Sequence, residues 1–238
     1  MSESTHSDRP RRSLLPWRLR KLASEQFPLA YHLIANAGFG GNSQAFWDDW
    51  LAKTWDEPRR MWPTKNALIA SLTPKSDVVL DIACGSGGIL RHLQRLGYSE
   101  LHGLEHSPYA VKRLAQDGIK MHWGKLPAIA LPDESVDTII ASQVLEHVIR
   151  RSRFVSEMRR VMRPGARALI FVPDNCLGPI DEPNHVIKYN RKTLRDFLGR
   201  YFDIVAIESF RDANHNMPVL FAHVRKHPPN DQSKRTAL

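Results

Sequence analysis

Two carboxylates and a glycine-rich turn carry the clearest chemistry in this chain. Asp81 follows the apolar run Val78-Val79-Leu80 and leads into Ala83-Cys84-Gly85-Ser86-Gly87-Gly88. An apolar run without alternation is the pattern of a strand buried on both faces of a parallel sheet. Gly85 and Gly87 let the backbone turn sharply and approach a ligand without a Cβ in the way. The helix expected over 89–96 aims its unpaired N-terminal amides at that ligand. Glu105 ends the next strand-like run, Leu101-His102-Gly103-Leu104. A carboxylate about 20 residues past such a loop is placed to accept hydrogen bonds from ribose hydroxyls. Together these features predict a site for a nucleoside-bearing cofactor.

The other chemistry on offer is proton transfer. Histidine changes charge near neutrality, which suits a general base. His147 follows the fourth expected strand, beside Glu146. His185 lies in a long irregular stretch over 173–190, together with Asp174, Asp181 and Glu182. Such stretches inside compact domains are often functional lids. Either histidine could take the proton of a hydroxyl, and either could be a hydrogen-bonded structural side chain. The acids could assist, but no metal-ligand spacing is evident, so no metal is expected.

Asp81-x-Ala83-Cys84-Gly85-x-Gly87 resembles motif I of the class I S-adenosylmethionine-dependent methyltransferases, the group that includes the type 11 and type 23 methyltransferase domains. That family usually reads Asp-x-Gly-x-Gly-x-Gly. Gly103-Leu104-Glu105-His106-Ser107-Pro108 is similar to its second strand and ribose-binding acid. Leu131-Pro132-Asp133 through Ile140 and Gln143-Val144-Leu145-Glu146-His147-Val148 resemble the segments around its fourth strand. Met162-Arg163-Pro164-Gly165 before Ala168–Val172 resembles the turn before its fifth. The resemblance covers roughly residues 60–222.

It implies a Rossmann-like α/β fold. The sheet should be seven-stranded and mostly parallel, with an antiparallel C-terminal edge hairpin and an N-terminal helical cap. It implies S-adenosylmethionine as cofactor and S-adenosylhomocysteine as product. The implied cofactor-binding residues are Asp81, Ala83, Cys84, Gly85, Gly87, Glu105, His106, Lys125, Leu126 and Gln143. The family often has Gly-Asp after the third strand, where this chain has Gly124-Lys125. Lysine cannot accept a hydrogen bond, so adenine recognition should fall to backbone groups near Lys125 and Leu126. Related small-molecule enzymes often carry a histidine and then an aromatic in the post-β5 loop, which His185 and Tyr189 resemble. His185 and His147 are thus the catalytic candidates, and Trp47, Tyr189 and Asp174 the substrate-binding ones. The Asn/Asp-Pro-Pro-aromatic motif of enzymes acting on base amines is replaced by Ala141-Ser142-Gln143-Val144. The expected acceptor is therefore a small or lipid-like molecule methylated at oxygen, in biosynthesis rather than on nucleic acid. A quinone or membrane-lipid methyltransferase, or a catalytically silent cofactor-binding scaffold in a biosynthetic complex, are the alternatives.

Composition bounds the rest. At 238 residues and 42% hydrophobic, the chain can bury a full core as one domain. Two cysteines, Cys84 and Cys176, do not suggest a disulfide framework, so a reducing cytoplasm is expected. The net charge of +9 lies mostly in the ends. Arg9, Arg11, Arg12, Arg18, Arg20 and Lys21 oppose only Glu3 and Asp8, and Arg225, Lys226, Lys234 and Arg235 oppose Asp231. Such ends suit solvated tails, or peripheral contact with an anionic membrane through residues 9–21. The oligomeric state is not legible.

The elements that must position these residues follow from periodicity. Residues 1–13 read as a disordered tail, 14–62 as the helical cap, 63–225 as the cofactor-binding domain and 226–238 as a second tail. A helix over 14–37 is expected to break at Pro28. Asn42 is the expected N-cap of a helix carrying Phe46, Trp47, Trp50, Leu51 and Trp55, which should pack on the main domain or, for Trp47, face substrate. A third helix should start near Pro63 and run to Leu72. Strands are expected near 77–82, 100–104, 119–123, 136–141, 166–172, 202–209 and 218–224, with helices between the first five.

Overall fold

The computed structural model describes residues 16–27, 30, 43–57, 61–174, 185, 187–215 and 218–227. The expectations for residues 1–13, Pro28, Asn42, Asp181, Glu182 and the final basic segment beyond His227 lie outside these residues.

Seven strands form one sheet in the order β3-β2-β1-β4-β5-β7-β6. They are β1 Val79–Ile82, β2 Leu101–Glu105, β3 Lys120–Trp123, β4 Val136–Ser142, β5 Met162–Pro173, β6 Asp203–Arg211 and β7 Pro218–Arg225. β1 to β5 pair in parallel, while β7 runs antiparallel to both β5 and β6. This is the Rossmann-like, mostly parallel arrangement expected, with its antiparallel edge hairpin. From β1 the chain first builds outward through β2 and β3, then returns to start β4 on the other side. That reversal leaves a crevice beyond the carboxyl ends of β1 and β4.

Both faces of the sheet are buried, which is why its central strands read as unbroken apolar runs. Leu80, Ile82, Ile139, Ala141 and Ile170 point into one core with Phe154, Val155 and Met158. Val79, Ile140, Leu169 and Phe171 point into the other with Leu51, Ile69, Leu90, Leu93 and Leu114. Strand side chains alternate with period two, so Asp81 shares the face of Val79.

The helices are α1 Trp17–Gln26, α2 Gln44–Thr54, α3 Pro63–Leu72, α4 Gly88–Arg95, α5 Pro108–Gln116, α6 Arg151–Val161 and α7 Arg191–Leu198. Their starts follow capping chemistry. Ser43, rather than Asn42, caps α2 by accepting from the Phe46 amide at 3.2 Å. Ser107 caps α5, and Asn190 and Thr193 form a reciprocal capping box on α7. Two expectations change. Residues 124–135 between β3 and β4 hold no helix; Pro127 and Pro132 each remove a backbone donor that a helix there would need. β5 starts earlier than expected, because Met162 already pairs with Val136 ahead of a bulge in the β4–β5 register.

Of the N-terminal helices, α2 and α3 pack onto the sheet domain. Leu51 of α2 and the following Trp55 enter the core beside α4 and α5. The Asp48 carboxylate of α2 accepts from Ser107 Oγ at 2.5 Å and from the Tyr109 amide at 2.9 Å. It therefore sits against the positive end of α5.

Candidate active site

A cavity of about 1110 Å³ opens at the carboxyl rim of β1, β2 and β4 and is walled by α2. At its β2 end, Glu105 is nearly fully buried yet well satisfied. One oxygen accepts from the backbone amides of His106 at 2.7 Å and Ser107 at 3.0 Å, and pairs with the His106 ring at 3.0 Å. The other accepts from the Gly85 amide at 3.0 Å. Burial alone would raise the Glu105 pKa, but the His106 ring and these amides hold it below its ordinary value. The charged carboxylate thus clamps the glycine turn. Its second oxygen, with one donor, can still accept from a ligand hydroxyl.

The turn itself is held in left-handed backbone. Gly87 has φ 71°, and a Cβ there would lie 2.4 Å from a Leu114 methyl, so only glycine fits. Ala83 (φ 55°) and Gln143 (φ 56°) adopt the same region without being glycine, at a cost of about 1–2 kcal/mol each. Backbone strain of this kind gathers at ligand sites, and both residues line the cavity.

Deeper in, three charges meet. Asp81 is buried, and its Oδ2 has no hydrogen-bond partner among the described residues. Lys65 of α3 is only 3% exposed. Its ammonium donates to Ser142 Oγ at 2.8 Å and sits 4.0 Å from the centre of the Trp62 ring. Its backbone amide donates to Asp212 at 2.9 Å. Burial pushes the Asp81 pKa up and the Lys65 pKa down, while each favours the charge of the other. Glu146, 1% exposed, is pushed up to about 8 by burial, partly offset by its backbone and Lys65. Gln143 Nε2 is also buried without a partner among the described residues. An ammonium, a carboxylate and orphaned polar atoms at one cavity floor suit a ligand carrying both an amine and a carboxylate.

At the opposite wall, the His147 and His185 rings meet edge to face with centroids 4.8 Å apart. Trp47 packs against His147 at 6.1 Å. The short 3₁₀ turn Leu145–His147 after β4 presents Glu146 and His147 to the cavity together.

The structure therefore gathers Asp81, Ala83, Cys84, Gly85, Glu105, His106, Lys125, Leu126, Gln143, His147, His185 and Trp47 around one space. The Cys84 thiol is pushed up by burial, with Asp81 and Glu105 adding to the effect. Gly87 shapes the turn without lining the cavity. Asp174 and Tyr189 are not brought to it. The Asp174 backbone extends the β5–β7 pairing by donating to Pro218, and its carboxylate accepts from Ser209 Oγ at 2.9 Å. Tyr189 bridges to Asp174 and is buried near Phe197. Lys65 and Asp48 were not anticipated. The signal for Lys65 was available: Lys65 and Asn66 precede Ile69 by four and three positions, placing polar groups on a buried helical stripe.

Residues 80–170 match the profile of the methyltransferase domain family. A Mycolicibacterium smegmatis protein described as a probable S-adenosylmethionine-dependent methyltransferase is 33% identical over 50% of this chain and 49% of its own length. A rice protein described as a probable chloroplastic tocopherol O-methyltransferase is 33% identical over 42% of this chain and 30% of its own. The chain thus spans about half or less of the length of these relatives. Among solved structures, the chain that a Haloferax volcanii complex pairs with a methyltransferase activator superposes with TM-score 0.67. It is 19% identical and covers 76% of this chain and 97% of that one, a likeness of fold.

Proposed function

We propose that this chain, which carries a class I S-adenosylmethionine-dependent methyltransferase domain, methylates a hydroxyl of a small or lipid-like acceptor. The observation that carries the reading is that a single cavity is lined at one end by the Glu105-clamped glycine turn and at the other by the His147–His185 pair. The orphaned atoms of Asp81 and Gln143 fit a cofactor with polar groups to offer. Glu105 would accept from its ribose hydroxyls. Asp81 and Lys65 would face its amino-acid end, and backbone groups at Lys125 and Leu126 its adenine. When bound, S-adenosylmethionine supplies an electron-poor methyl on sulfur. The protein then orients the acceptor and keeps water out, with Trp47 and Trp50 as apolar walls. An imidazole of the pair takes the hydroxyl proton. The rice relative is named as an O-methyltransferase, while other relatives are named as C- and N-methyltransferases, so the choice of oxygen rests on the histidine pair.

Calorimetry with S-adenosylhomocysteine tests the cofactor half: one-to-one binding with Kd on the order of micromolar is expected. Mass spectrometry of phenolic and lipid extracts incubated with protein and methyl-labelled cofactor tests the transfer. Failure to bind S-adenosylhomocysteine would sink the reading, while binding without transfer to any acceptor would favour a silent cofactor-binding scaffold.

A lipid acceptor met at a membrane surface is supported by a separate observation. Among the described residues no helix is long and apolar enough to cross a membrane. α1 nonetheless exposes Leu19 by 51% and Leu22 by 53%, and Phe27 just beyond it by 70%. Leu19 lies within the arginine- and lysine-rich stretch Trp17–Lys21, Leu22 directly follows it and Phe27 lies six positions beyond it. A basic segment with exposed apolar side chains suits an anionic interface.

A further inference from the structure

We infer that Glu146, His147 and His185 form a binding site for a divalent transition metal at the acceptor end of the cavity. One carboxylate oxygen and two imidazole nitrogens can be chosen that all lie within 4.8 Å of one another. A cation bonded at about 2.1 Å needs donors roughly 3.0–3.4 Å apart, so side-chain rotations moving the donors by on the order of 1 Å complete the site. The backbone already sets the register. Glu146 and His147 are consecutive in the tight turn after β4. The stretch carrying His185 is tied to that turn by the Ile187 amide, which donates to the Glu146 carbonyl at 3.3 Å.

A second observation points to a cation. Neither carboxylate oxygen of Glu146 accepts a hydrogen bond from another described residue, and the residue is 1% exposed. A buried carboxylate left without donors is costly. The ammonium in reach is that of Lys65, which donates to Ser142 and is shared with Asp81 and Asp212. One ammonium is thus shared among three carboxyl groups, and a divalent ion would supply the partner that the Glu146 oxygens otherwise lack.

Two imidazoles and one carboxylate suit Zn²⁺, Mn²⁺, Fe²⁺ or Co²⁺ better than Mg²⁺ or Ca²⁺. Three protein ligands leave positions open toward the cavity, as in catalytic rather than structural sites. A hydroxyl ligating there would lose its proton to solvent and stay on the ion as an oxyanion. In that state the imidazoles serve as ligands and the ion takes over their proposed work on the acceptor. Only this consequence rests on the methyltransfer reading; metal binding stands apart from it.

The test uses full-length, untagged protein stripped with chelator. Co²⁺ is titrated and followed by its visible absorption, with Mg²⁺ as control. The expected result is one strong equivalent, with Glu146→Gln and His185→Asn each weakening it at least tenfold. S-adenosylhomocysteine affinity should change less than about threefold in His185→Asn, which shows that the cavity still forms. No strong Co²⁺ equivalent, or one indifferent to both substitutions, overturns the inference. Loss of S-adenosylhomocysteine binding by the parent protein with Co²⁺ binding intact would sink the methyltransferase reading and leave the metal site standing.

Discussion

Glu105 clamps the glycine turn and is proposed to accept from ribose hydroxyls, so its replacement tests both tasks. Glu105→Gln keeps the shape but cannot serve all the amides that meet the carboxylate. S-adenosylhomocysteine affinity should fall by about 1–3 kcal/mol, together with a lower thermal midpoint. Calorimetry showing unchanged affinity would remove Glu105 from the ribose site. Lys65→Met keeps the stem and removes the charge that faces Asp81 and Glu146. Leaving buried carboxylates unpaired should cost roughly 3 kcal/mol in urea unfolding at pH 8. Asp81 already has a folded pKa above its ordinary value. An acid shifted this way adds stability that is present below the unfolded pKa and lost as pH rises through the folded one. The Lys65→Met deficit should therefore shrink between pH 8 and pH 5, and a pH-independent deficit would contradict the pairing. Asp81 and Glu105 were legible because their spacing from a glycine turn is itself the signal. Lys65 was less so: its spacing from Ile69 put it on the buried stripe of α3, but its partners became visible only in the fold. Asp174 was expected at the site as a member of the stretch that carries His185, and Tyr189 from the resemblance to a histidine followed by an aromatic, yet the two pair with each other and line no part of the cavity.

At the scale of elements, α2 is bound to α5 through one carboxylate. Asp48→Ala removes the acceptor for Ser107 Oγ and the Tyr109 amide. A loss of about 1–2 kcal/mol in chemical denaturation is expected, as for other helix-cap deletions; no loss would mean that the apolar contacts of Leu51 and Trp55 hold α2 unaided. Strands β2 and β3 carry a pH-sensitive contact. His102 Nδ1 and His122 Nε2 lie 2.9 Å apart with rings stacked, so one ring must offer a lone pair to the other. Burial lowers both pKa values, and His102 is lowered further by His122 and Lys120. With folded pKa values below the unfolded ones, the unfolded chain binds more protons, and stability drops as pH falls below about 6.5. Wild type should thus lose more stability between pH 7.5 and 5 than the His102→Asn/His122→Asn double variant; equal slopes would exclude the pair as the cause. The strands were readable because their apolar runs are short and bounded by turn residues. The segment between β3 and β4 was misread as helical from the alternation of its neighbours, when its own prolines argue for irregular backbone.

Across the whole molecule, the cavity and the basic N-terminal helix bear on where the acceptor is met. If it is drawn from a membrane, full-length protein should float with anionic vesicles at low salt. Deletion of residues 1–27 should abolish flotation while leaving S-adenosylhomocysteine affinity intact; flotation unaffected by the deletion would place the contact elsewhere. The amino-acid sequence by itself determined the α/β class and the mostly parallel seven-stranded sheet, and it supplied the expectation of a cofactor end built on the glycine turn. Those features are written in local signals, since apolar period, glycine turns and cap residues act between near neighbours. Tertiary structure alone decided what surrounds the candidate histidines. Glu146 and His147 share one turn, but His185, Lys65 and Asp212 come from other segments, and the group exists only once α3, the turn after β4, the stretch after β5 and the end of β6 converge. Burial and charge pairing depend on distances in space, and no spacing along the chain encodes them.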